Sequence, residues 1–186
     1  MRDVTAFITI HTLLKGNDRL YIMCTESQVN EYISQLSNPD KSVRNEAAIA
    51  LSKCGRKAVF PMINLLDSKE WVIRYRAAEV LGLIGDETAI IHLTKLLTDE
   101  KDHVRYMAAK SLGYFKKKEL ALSLIRMLSD ENEYVRRISA VSLGNIGGRT
   151  AYMSLKKAVE TETDERAKAA MTESIGRIEP TLEANQ

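Results

Sequence analysis

Three histidines and two cysteines are the residues of this chain best suited to chemistry. A metal site on a helix needs ligands three or four residues apart, so that two imidazoles reach one ion. His11, His92 and His103 form no HExxH or HxxxH pair. His92 is expected to pack within a helix, and His103 to cap a turn or make a surface contact. No glycine-rich loop follows a strand, so no phosphate cradle is expected. Neither Cys24 nor Cys54 has a histidine near it in sequence, and the serines lie in turns or on helices without a nucleophile elbow. The two thiols are expected as inert, reduced core residues rather than a disulfide, since Cys54 stands near a helix end where a small hydrophobe is usual. No catalytic residue, metal or cofactor is predicted.

What remains is the chemistry of binding. Trp71, Tyr75, Tyr106, Met107, Arg137 and Ile138 are of the types that concentrate interface energy, because each offers large area with few rotors, or a planar cation. With Arg76, Lys110 and Glu79 they recur at fixed offsets from a repeated arginine, on the side of a helix away from its Ala and Leu stripe. The sequence therefore predicts an exposed apolar patch with a charged rim, which marks a partner site. The predicted binding residues are Trp71, Tyr75, Arg76, Tyr106, Met107, Lys110, Arg137 and Ile138. The competing reading has Trp71 tucked against the turn of a neighbouring repeat.

The elements that position them are repeated helices. VRNEAAIALSKCG (43–55), IRYRAAEVLGLIG (73–85), VRYMAAKSLGYF (104–115), VRRISAVSLGNIG (135–147) and the degraded AKAAMTESIGRIE (167–179) are copies of one segment. Their anchors Arg44, Arg74, Arg105, Arg136 and Lys168 stand 30, 31, 31 and 32 residues apart. A period of that size marks a two-helix unit that must stack to bury its apolar face. A first helix precedes each copy, as in Val59, Met62, Ile63 and Leu66, and a polar turn such as TDEKD or SDENE caps the second. Gly55, Gly85 and Gly147 should end helices at positive φ. Gly82, Gly113, Gly144 and Gly176, costly mid-helix, suggest tight contact with the next repeat or the approach of a helix end. In the third copy the basic loop Lys116 to Lys118 replaces the glycine stop, and a solvated loop is expected there.

This alternation resembles HEAT repeats, in particular the short HEAT-like subtype of phycobilisome lyases, over residues 26 to 179. The resemblance implies a right-handed superhelix with the second helices on the concave side. It also implies an acid six residues before each arginine, pairing across adjacent repeats. That register holds Asn38, Ser68, Asp99, Asp130 and Glu162, so the series is incomplete toward the N-terminus, and Arg105, Arg136 and Lys168 are expected to be structural. Deoxyhypusine hydroxylase is similar in fold but holds iron through His-Glu dipeptides. The chain has none.

The fold expected is an all-α solenoid of about five two-helix units, 26–55, 56–85, 86–116, 117–147 and 148–179, with a cap over 1–25 and a polar tail over 180–186. Lys plus Arg number 27 against 25 Asp plus Glu, a net charge of +2 that implies neither nucleic acid nor an anionic membrane by long-range field. No segment reads as a signal peptide or membrane span, so a cytoplasmic protein is expected. The function expected is a non-catalytic scaffold holding a peptide or helix of an unidentified partner protein in its concave groove. By resemblance, tetrapyrrole attachment or removal is the alternative. Nucleic-acid binding ranks third, since Glu46, Glu79, Asp102, Glu133, Glu165 and Glu173 dilute the wall. Pairing of two solenoids through their ends stays open.

Overall fold

The computed structural model describes residues 24–183, and the expected N-terminal cap lies almost wholly outside them. Ten α-helices follow one another without a strand among the described residues: α1 (Glu26–Gln35), α2 (Lys41–Lys53), α3 (Arg56–Leu65), α4 (Trp71–Ile84), α5 (Ile90–Lys95), α6 (Asp102–Tyr114), α7 (Ala121–Arg126), α8 (Glu133–Ile146), α9 (Arg149–Thr161) and α10 (Glu165–Glu183). Short 3₁₀ turns extend α5 and α7 at both ends. The even-numbered helices are the repeated segments, and the odd ones are their partners.

One arginine builds each joint. Arg74 donates from Nη1 to the carbonyl of Ser68 in its own turn at 2.8 Å, and from Nε and Nη2 to both oxygens of Asp99 in the next repeat at 2.7 and 2.8 Å. Arg105 does the same with Asp130 and Arg136 with Glu162. The acid also accepts an amide two residues on, Lys101, Asn132 or Asp164, each at 2.9 Å, and so closes the turn before the second helix. The pairing runs forward, each arginine to the following repeat, so Arg74 joins Arg105 and Arg136 as a structural residue, while Lys168 is exposed.

Arg44 is the exception, because the next register position is Ser68. It holds the carbonyls of Asn38 and Pro39, but its Nε is buried without a partner. Ser68 Oγ already accepts the amide of Glu70 at 3.2 Å, the role of the acid elsewhere. Ser68→Asp should therefore add a charge-assisted contact to Arg44 and raise the free energy of unfolding by about 1–2 kcal/mol, read by urea denaturation.

The second helices pack on one another along the array, α2 on α4 through to α8 on α10, whereas the first helices touch each other far less. Close approach on one side and splay on the other bend the stack toward the second helices, which therefore line its inner wall. Small residues permit the approach: Ala77, Ala78, Ala108, Ala109 and Ala140 are fully buried. The Ser111 hydroxyl donates to the Ala78 carbonyl, and Ser142 to that of Ala109, both at 2.9 Å. Leu51, Leu81, Leu112 and Leu143 fill the layer beneath.

Two sequence expectations are corrected and a third is refined. Cys24 and Cys54 are joined as a disulfide with Cα atoms 5.2 Å apart. The antiparallel α1 and α2 bring the start of one beside the end of the other, so the bridge staples the first repeat across 30 residues of chain. The basic stretch is the solvated loop expected over 116 and 117, with Lys118 opening a 3₁₀ turn, and it adds one feature: Lys116, at φ 52°, takes the positive φ that Gly55, Gly85 and Gly147 supply at the same register. And α10 runs through Pro180 to Glu183 instead of giving way to a tail, because Ile178 and Leu182, one turn apart, still pack on the core.

A candidate binding groove on the inner wall

Counting from the repeat arginine, successive residues turn by about 100° around the helix. Positions three before, one after and five after thus share an arc, position two before borders it, and position two after lies a quarter-turn away. The structure follows this geometry. Tyr75 and Tyr106, one after, are half-buried on the wall, and Lys110 and Ile138 are half-buried as well. Three predicted binding residues stand two after the arginine, and none lines the groove: Ile138 is half-buried against the core, and the other two lie deeper. Met107 is 1% exposed within the core, and Arg76 is buried, its guanidinium paired with Glu79 at 2.7 Å and lying 5.4 Å over the Tyr75 ring. Neither has surface to give a partner.

Tyr75 of α4, Asp102, His103 and Tyr106 of α6, Asn132 before α8, and Tyr134 and Arg137 of α8 enclose an open groove of about 260 Å³. A smaller pocket of about 80 Å³ continues from Tyr134 and Arg137 to Glu133, Asp164 and Arg166. Trp71, 38% exposed, packs its ring on His103, where the turn of the next repeat enters α6, with centroids 5.1 Å apart; it thus makes the contact of the competing reading while its exposed part extends the aromatic wall at the α4 end. The Arg137 guanidinium lies 5.6 Å over the Tyr134 ring, which holds a cation at the centre of the groove with little freedom to lose on binding.

The polar frame is fixed by hydrogen bonds. Asp102 Oδ1 lies 2.7 Å from both the His103 amide and its Nδ1, and Oδ2 accepts from Asn132 Nδ2 at 2.6 Å, which ties α6 to the start of α8. Burial works to raise the Asp102 carboxyl, but the hydrogen bonds from the His103 ring and amide outweigh it and hold the group below its usual range. Burial pushes the Tyr75 phenol up, so it stays a neutral donor at physiological pH. Among the described residues no group of three His, Cys, Asp or Glu could hold a metal ion.

The sequence reading found Trp71, Tyr75, Tyr106 and Arg137 and missed His103 and Tyr134 as wall residues. Both stand two before the repeat arginine, and a full 100° count would have named them in place of Arg76 and Met107.

The fold and groove define an all-α repeat solenoid with an aromatic inner wall. The chain belongs to the HEAT-repeat family, whose pattern matches residues 29–105 and 96–176. In fold it is similar to a chain of the complex of CpcE and CpcF of phycocyanin lyase from Nostoc sp. PCC7120, at 19% identity and a TM-score of 0.73 over 80% of this chain and 98% of that one. It is similar also to a designed armadillo repeat protein in complex with the peptide (KR)4, 17% identical with a TM-score of 0.55 over 81% of each chain. A computationally designed armadillo repeat protein for modular peptide recognition, 17% identical with a TM-score of 0.57, matches over 81% of this chain and 82% of that one. No curated protein matches the sequence. No helix among the described residues is long and apolar enough to cross a membrane.

Proposed function

We propose that the protein is a non-catalytic scaffold whose inner groove, centred on α4, α6 and α8, holds a peptide or helix of a partner protein. The observation that carries this reading is the convergence of Tyr75, His103, Tyr106 and Tyr134 with Arg137 on one open groove of about 260 Å³, with the Trp71 ring tilted against His103 at its edge. Aromatic faces supply area at low entropic cost, and the fixed charges of Arg137 and Asp102 supply orientation. The designed repeat solenoids that share this fold, one of them in complex with a peptide, support a peptide as ligand.

The test is selection of peptides from a displayed random library on the immobilised protein, followed by affinity measurement. Tyr106→Ala should weaken the selected peptides at least tenfold, the scale of a central aromatic anchor, while helicity and melting stay near wild type. Equal binding by the variant would remove the groove from the reaction.

A second reading, assistance in attaching or removing a tetrapyrrole, is favoured by the likeness in fold to a chain of phycocyanin lyase. An absorbance scan with free bilin separates the two, since a peptide scaffold leaves the spectrum unchanged.

A further inference from the structure

The outer face carries a pattern of its own. Phe60, Ile91, Leu122 and Met153 stand 31 residues apart, one on each of α3, α5, α7 and α9, and are 70, 65, 66 and 59% exposed. Single exposed apolar residues are ordinary. Four in one register, on the face of an amphipathic helix that should be polar, are not.

The residues four before and four after each share its stripe, one helical turn to either side. The row before holds Arg56, Glu87, Lys118 and Arg149, and the row after holds Asn64, Lys95, Arg126 and Lys157; all eight are exposed. Six cations thus flank the apolar crest against one carboxylate; Glu87 is paired with Lys117 at 2.6 Å and Arg56 with Asp86 at 3.3 Å, which leaves five of the six cations without a carboxylate in the rows or beside them. The near-neutral charge of the whole chain conceals this, because the acids that balance it serve largely in the turns and on the inner wall.

We infer that this outer crest is a docking surface for an anionic lipid bilayer, onto which the protein binds peripherally. A second copy meeting the first crest to crest is disfavoured, because both would bring the same cations. A protein partner normally offers pockets to aromatic anchors and demands shape complementarity. Here the side chains project from the outside of a bend, lie a helix–helix spacing of roughly 10 Å apart, and differ in shape from repeat to repeat, sharing only apolarity. Separate apolar tips between predominantly cationic rows suit a fluid, uniformly anionic interface, in which each tip dips among acyl chains while the cations meet headgroups. This inference is independent of the inner groove, which faces the other way.

The experiment is co-sedimentation of the full chain with vesicles of equal parts phosphatidylglycerol and phosphatidylcholine, and with phosphatidylcholine alone. Binding is expected to the anionic vesicles only and to fall steeply as salt is raised. Ile91→Ser with Leu122→Ser should weaken it at least tenfold. Lys118→Glu with Arg126→Glu should do so too, at roughly fivefold per cation lost. All four positions are exposed, so melting should be unchanged, and Tyr106→Ala should bind vesicles like wild type. No binding to anionic vesicles, equal binding to phosphatidylcholine alone, or binding indifferent to the crest substitutions would overturn the inference. Tighter capture of an acidic amphipathic peptide through the same residues would overturn it in favour of a protein partner.

Discussion

Asp99→Ala should cost about 3 kcal/mol of stability, lowering the melting temperature by roughly 10 °C for a chain of this size. The carboxylate side chain is 7% exposed and that of Arg74 10%, so the pair sits out of water at the joint between the second and third repeats. Asp99 accepts three hydrogen bonds, two from Arg74 and one from the Lys101 amide. Truncation leaves the guanidinium in a dry seam with only the carbonyls of its own turn and the exposed Glu100, and opens the turn that starts α6. Breaking a buried pair from one side is the costly case, since the surviving charge keeps its desolvation penalty. The same contact sets a pH dependence. Burial pushes the Asp99 carboxyl up, but the Arg74 hydrogen bonds, the Lys101 amide and the charges of Arg74 and Arg105 together overcome that and hold it below the usual carboxylate range; Glu162 is held down by Arg136. Because the folded values are lowered, these groups stabilise the fold above about pH 4, where the unfolded chain is also ionised. That contribution is lost as pH falls through the lowered values. Melting from pH 7 down to 3 should show wild type losing stability at the acid end, and Asp99→Ala losing less.

The array was legible in the sequence because every joint repeats the same few residues at the same offsets. Arg105 and Arg136 were legible as structural from spacing plus family resemblance, and the glycine and alanine registers announced close packing; the forward direction of the pairing, which adds Arg74 and drops Lys168, was not. The inner wall was half legible. A four-residue step carries one face along a helix, and this located Tyr75, Tyr106 and Arg137, but it does not say how wide that face is. Two residues past the arginine the helix has turned into the seam, which claimed Met107 and Arg76 for the core. Two residues before it the helix still faces outward, which gave the wall His103 and Tyr134.

Other features needed three dimensions. Cys24 stands one repeat before Cys54, but only the antiparallel run of α1 against α2 turns that spacing into a bond. Lys116 breaks the rule that a helix stop at positive φ needs glycine. Phe60, Ile91, Leu122 and Met153 are hidden from a periodicity argument, since an apolar residue on a helix is taken for core until its exposure is seen.

The glycines give the sharpest contrast between local preference and packing. In an isolated helix Gly→Ala gains about 1 kcal/mol. At Gly176 a Cβ would meet nothing within 4 Å, because no repeat follows it in the described chain, and Gly176→Ala should show that gain. At Gly113, same register two repeats earlier, a Cβ would lie within about 2.6 Å of the Ser142 side chain and 3.0 Å from its Cα. Rotating the serine cannot relieve contact with Cβ and Cα, and rotation would also break the hydrogen bond from Ser142 to the Ala109 carbonyl, leaving a buried hydroxyl without its partner. So α8 must back away from α6 along its length, which loosens the seam that holds the last two repeats to the first three. Gly113→Ala should therefore lose about 2–3 kcal/mol by urea denaturation, the scale of overpacking in a close-packed interior, so the one substitution changes sign between two equivalent positions. Adding Ser142→Gly removes the colliding atoms and should restore much of the loss. If Gly113→Ala instead stabilised the protein as Gly176→Ala does, helix propensity rather than interhelical contact would govern the register, and the recurrence of glycine there would lose its explanation.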